Sequence, residues 1–83
     1  MQLTLAITIK SNGTLFLDAE PITRQDLQQK IREAHTRDPE IRAVIAADGA
    51  TQHKSVVGVI DRLRREGVSK FAINVQPEDV KEQ

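Results

Sequence analysis

From Gln2 to Lys10 the chain alternates, with Leu3, Leu5, Ile7 and Ile9 on one side and Gln2, Thr4, Thr8 and Lys10 on the other. Successive side chains of a strand point to opposite faces, so this segment reads as a half-buried strand whose apolar face another element must cover. Ser11-Asn12-Gly13-Thr14 follows, and Asn-Gly is the pair that best tolerates the positive φ angles of a tight hairpin turn. A second strand, about Thr14 to Asp18, is expected to return beside the first. Asn12-Gly13-Thr14 also fits the N-glycosylation acceptor pattern, but hairpin chemistry accounts for the same residues without a sugar.

Two helical segments supply the cover. In Pro21-Ile22-Thr23-Arg24-Gln25-Asp26-Leu27, Thr23 can cap a helix start, with Asp26 three residues on and Ile22 placed to staple against Leu27. Leu27, Ile31 and Ala34 recur at helical spacing while Arg24, Gln28, Lys30, Arg32 and Glu33 fall elsewhere, and the helix is expected to end before Pro39. Ile41 to Ala47 is a short, nearly continuous apolar run, the mark of a strand covered on both faces or lying centrally in a sheet. After Asp48-Gly49-Ala50 a second helix runs from near Gln52 to Glu66, burying Val56, Val59, Ile60 and Leu63, and Gly67 stops it. Phe71, Ile73 and Val75 then alternate with Lys70, Ala72 and Asn74 in a final strand. The order β-β-α-β-α-β, with one right-handed crossover from Ile41 to Val75, gives an α+β domain: a small open mixed sheet with both helices on one face. It is expected to span residues 1–76, followed by a polar, disordered tail over 77–83.

Composition narrows the function. With 83 residues, 39% of them apolar, and only Phe16 and Phe71 as aromatics, the core is thin, and a partner or second copy is expected to help hold it. The 12 basic residues balance the 12 acidic ones and are interspersed with them, which offers no field for a nucleic acid backbone. The longest apolar run, Ala43 to Ala47, falls far short of the roughly 20 residues that span a bilayer, and no signal peptide is expected in the residues before the first strand. Without cysteine there are no disulfides, thiolate metal sites or Cys nucleophiles.

Reactive constellations are equally scarce. His35 and His53 share no paired-ligand spacing, and both read as solvated helix-end residues. No nucleophile elbow, P-loop or dinucleotide fingerprint occurs, so no catalytic, cofactor-binding or metal-ligating residues are assigned. Asp48 sits at the end of a strand, where open sheets gather active residues, yet a lone Asp there more often orders a turn by bonding nearby amides. A small enzyme or ligand-binding domain built on Asp48 and His53 is the weakest of the readings considered. Arg62, Arg64 and Arg65 are flanked by Asp61 and Glu66 and read as a solvated helix face.

Ile7-x-Ile9 before Asn12-Gly13, the Pro21-Ile22 helix start, Val44-Ile45-Ala46-Ala47-Asp48, and Val59-Ile60-Asp61-x-Leu63-x-x-x-Gly67-Val68 together resemble the ExbD/TolR family over nearly the whole chain. What they resemble is its C-terminal periplasmic domain, which in full-length members follows a cytoplasmic tail, one transmembrane helix and a linker. The chain is therefore expected to be that domain alone, from a single-pass bacterial inner-membrane protein, with Met1 an added start residue. The resemblance implies an accessory subunit of a proton-driven motor. Its partners would be an ExbB- or TolQ-like channel protein, reached through the transmembrane helix, and a TonB-like or TolA-like protein. The family's protonatable aspartate lies in that transmembrane helix, so its role falls on no residue here, Asp48 included. Asp48 and Asp61 match positions where the family often has Asp, while Gly49 and His53 depart from a frequent charged and an often aromatic residue. The loop after Asp48 and the short tail favour an ExbD-like member; a TolR-like one, binding peptidoglycan, is the alternative.

An open sheet leaves unpaired backbone groups at its edges, which can accept a strand from a second copy or from an extended partner segment. The last strand is the expected edge, so Lys70, Phe71, Ala72, Ile73, Asn74 and Val75 are the expected partner-binding residues, with Lys70 guarding against uncontrolled pairing. A homodimer is expected by the same route.

Overall fold

A computed structural model describes residues 4–75. The opening alternation forms β1 (Thr4–Ile9), paired antiparallel with β2 (Leu15–Leu17) so that Ile9 faces Leu15 and Ile7 faces Leu17. The turn between them is a three-residue loop, Ser11 to Gly13, closed by Gly13 N–H to the Lys10 carbonyl and Lys10 N–H to the Thr14 carbonyl, both 2.9 Å. Within this loop only Gly13 takes a positive φ, +90°. Asn12 contributes differently, its Oδ1 accepting from the Thr14 N–H at 3.0 Å.

The chain then does something the sequence reading did not contain. Asp18 and Ala19 both adopt positive φ, 51° and 72°, and turn the backbone into a further strand, β3 (Glu20–Ile22), antiparallel to β2. Among the described residues the sheet thus has five strands, in the order β3-β2-β1-β4-β5, and Pro21-Ile22 lies in a strand rather than in a helix start. The helix starts where its cap was expected: Thr23 Oγ1 accepts from the Asp26 N–H at 3.1 Å, and α1 runs Arg24–Arg37 with Leu27 and Ile31 buried. Its last N–H bond is made by Asp38, whose extended φ and ψ suit the Pro39 that follows.

β4 (Arg42–Ala47) lies parallel to β1, and α2 (His53–Arg65) carries the chain to β5 (Lys70–Val75), parallel to β4. β4 is central but is covered on one face only. Ala43, Ile45 and Ala47 are buried, whereas Arg42 and Val44 are exposed and Ala46 is half-buried. The apolar run therefore hides an alternation in which small or aliphatic residues occupy the open face. All core residues lie on the other side: Leu5, Ile7 and Ile9 of β1, Leu15 of β2 and the β4 trio meet Leu27 and Ile31 of α1 and Val59 and Leu63 of α2. Val56 and Ile60 only flank this cluster, and neither phenylalanine is fully buried. The expected strand positions Gln2 and Leu3, and the expected disordered tail over 77–83, lie outside the described residues. No helix among the described residues is long and apolar enough to cross a membrane.

Candidate functional site

The path into β5 is set by how α2 stops. Val68 N–H reaches back to the Leu63 carbonyl at 2.9 Å and Gly67 N–H to the Arg64 carbonyl at 3.0 Å, a Schellman closure with Gly67 at φ +94° and Val68 buried with Leu63. The His35 ring lies directly over Gly67: a Cβ there would sit 2.8 Å from His35 Cε1. This contact corrects the view of His35 as a solvated end residue, since its half-buried imidazole helps join the two helices. Beside it, Glu66 accepts from Arg32 Nε at 3.0 Å, Arg32 Nη2 at 3.1 Å and Gln28 Nε2 at 3.0 Å. The Arg32 and Gln28 hydrogen bonds pull the Glu66 carboxyl down from its ordinary 4.5 to about 2. The end of α2 is thus clamped to α1, which fixes where β5 begins.

β5 is an edge strand of six residues. It pairs with β4 in register, Lys70 beside Arg42 through Val75 beside Ala47, and nothing among the described residues pairs with its other side. In a parallel pair, alternate residues turn their N–H and C=O groups outward, so this edge carries unpaired donors and acceptors along its length. Register also assigns the faces. Phe71, Ile73 and Val75 stand on the helix side with Ala43, Ile45 and Ala47, and Lys70, Ala72 and Asn74 stand on the open side with Arg42, Val44 and Ala46.

The helices do not reach far enough to cover the β5 stripe. Phe71 is half-buried beneath the Arg64 guanidinium, 5.9 Å from the ring centre, but Ile73 is 44% and Val75 55% exposed. Val57, seven residues before Arg64 and so on the same side of α2, is 47% exposed. An added strand would meet both backbone hydrogen-bonding groups and an apolar shelf along this side. Lys70 is held by Glu40, an ion pair that draws the Glu40 carboxyl below its ordinary value and pins the first residue of the edge.

The remaining candidates serve the frame. Asp48 Oδ1 accepts from the Ala50 N–H at 3.0 Å, and its own N–H donates to the Ile9 carbonyl, so it orders the turn between β4 and α2. His53 is the exposed first residue of α2, and the described residues hold no group of three or more His, Cys, Asp or Glu side chains fit for a metal ion. The three clustered arginines take separate tasks: Arg65 pairs with Asp61, Arg64 lies over Phe71, and Arg62 turns back toward the Gly58 carbonyl. Sequence reasoning missed Val57 and the Glu66 clamp. The second valine of Val56-Val57 falls off the buried stripe and was the available signal for the first; a contact between residues 34 positions apart leaves none for the second.

None of the curated proteins compared with the chain matches it. One family model does, over residues 2–78, and its description is Biopolymer transport protein ExbD/TolR.

Proposed function

The chain belongs to the ExbD/TolR family and is at that level an accessory protein of biopolymer transport; from that membership we propose that it is a periplasmic interaction domain that works by strand addition at β5. In this reading it serves an ExbB-ExbD-TonB type system driven by the proton-motive force. It binds an extended segment of a TonB-like partner, pairs with a second copy through the same edge, and is joined to an ExbB-like channel subunit by a membrane anchor. The observation that carries the reading is the six-residue β5 edge with its half-covered apolar stripe of Phe71, Ile73 and Val75. Strand addition suits a coupling protein because backbone hydrogen bonds supply affinity from any extended segment, while pockets for alternate side chains supply selectivity.

The test is binding of an extended peptide from a TonB-like protein, measured by titration calorimetry against the wild type and Ile73→Lys. Binding that weakens at least roughly tenfold in the variant supports the proposal, because a charge placed in the apolar stripe is desolvated by the incoming strand. Equal binding by both proteins contradicts it. Retention by isolated peptidoglycan, without peptide binding, would move the assignment to the TolR-like alternative.

A further inference from the structure

Away from β5, where β1 and β4 finish, the hairpin loop, the start of α1 and the first turns of α2 enclose a cleft of about 240 Å³. Its floor is apolar, made by the buried Leu15 and Val59, and its walls carry Arg24, Lys54 and Arg62. Among the described residues, no carboxylate lines it. In a chain whose 12 basic and 12 acidic residues otherwise balance, three cations around one concavity without an acid is a local field of one sign.

Two further features point the same way. Arg62 Nη1 lies 3.4 Å from the Gly58 carbonyl, and Arg62 Nε is buried without a hydrogen-bond partner among the described residues. A buried guanidinium donor left unpaired is costly, and such a group calls for an acceptor. Among the described residues the ion pairs occupy Arg32, Arg65 and Lys70, so Arg24, Lys54 and Arg62 have no carboxylate of their own. The N-cap of α2, Gln52, makes no side-chain hydrogen bond, and its first turn has no acidic residue, so the positive end of the helix adds to the same field.

We propose that this cleft binds an oxyanion, a carboxylate or phosphate group, with the part-buried Arg62 guanidinium as the directional donor and Arg24 and Lys54 closing over the charge from the rim. The group is either a free small anion or the acidic side chains of a peptide, and the cleft acts independently of the β5 edge. The test is amide chemical-shift mapping of the intact chain with sodium phosphate, with citrate and with a blocked triglutamate peptide, each at ionic strength held constant with sodium chloride. Expected are saturable shifts at Arg24, Lys54, Ser55 and Gly58. The affinity should fall at least roughly tenfold in Arg24→Ala/Lys54→Ala and also fall in Arg62→Lys, which keeps the charge but loses the planar fork of guanidinium donors. Arg65→Ala, outside the cleft, serves as the control and should bind as the wild type does. Saturation by phosphate or citrate as well as the peptide supports the site and assigns it to free anions; saturation by the peptide alone supports it and assigns it to acidic side chains. Shifts that never saturate with any of the three, or that survive unchanged in the double variant, overturn the proposal. Thermal melts of each variant separate lost binding from lost folding.

Discussion

At one margin of the sheet β3 offers three residues with Pro21 in the middle; at the other β5 offers six with no proline. Proline has no N–H to give, and on an edge strand its nitrogen faces solvent, so β3 lacks a donor where an incoming strand would seek one. β3 also follows a tight turn with two residues at positive φ, which keeps it short. β5 instead is entered through a Schellman closure and an inter-helix clamp, and it carries Phe71, Ile73 and Val75 on a side the helices leave partly bare. The lesson is that protection of one edge and exposure of the other are written by separate local devices in the same small sheet. Among the described residues, only the β5 side keeps a long row of open backbone groups.

The contrast can be broken most severely at β5 itself. Outward N–H groups alternate along the strand, so Ala72→Pro and Ile73→Pro bracket the two phases. One should cut association more than roughly tenfold in sedimentation with little loss of stability, while the other breaks a bond to β4 and lowers the melting temperature. If neither alters association, the edge is not the pairing surface. Next in size, Gly67→Ala should destabilise by about 2 kcal/mol, because the alanine must hold a left-handed φ and its Cβ meets His35. Chemical denaturation checks this, and the loss should be smaller in a His35→Ala background.

Acid probes the same anchor. Glu66 has a folded-state pKa of about 2 against an ordinary 4.5, so its contribution is complete above about pH 4.5 and is lost as pH falls toward 2. Glu40, lowered by Lys70, adds in the same direction. Melting temperatures measured from pH 6 to pH 2 should fall across that window, and less steeply in Glu66→Gln. Opening the guarded edge is a subtler change: Pro21→Thr should let β3 accept a strand and give species larger than those of the wild type at high concentration. Unchanged sedimentation of that variant would mean that the shortness of β3, not its proline, closes this edge. Smallest of all, Ala19→Gly should stabilise by about 1 kcal/mol in denaturant titrations by relieving a left-handed alanine.

Much of this frame was legible in advance because its signals are local. Thr23 as a cap, Gly67 as a stop and the alternation of Phe71, Ile73 and Val75 each act through the nearest few residues. β3 was not legible because Asp18-Ala19 makes a turn that Asp-Gly would have announced, and Pro21, two residues before a good cap, resembles a helix entry. The one-sided cover of β4 escaped notice because Val44 and Ala46 are apolar residues on an open face. For the site, the edge position of the last strand could be read from chain order, but its bare apolar shelf depends on where α2 lies across the sheet. No spacing within β5 encodes that.

Amide hydrogen exchange across residues 70–75, recorded as protein concentration rises and again with an extended partner peptide, tests the pairing edge most directly. The account predicts slowed exchange at alternate residues of β5, with β3 unchanged. Exchange at those amides that stays as fast with partner as without, or protection that arises at residues 20–22 instead, would contradict it.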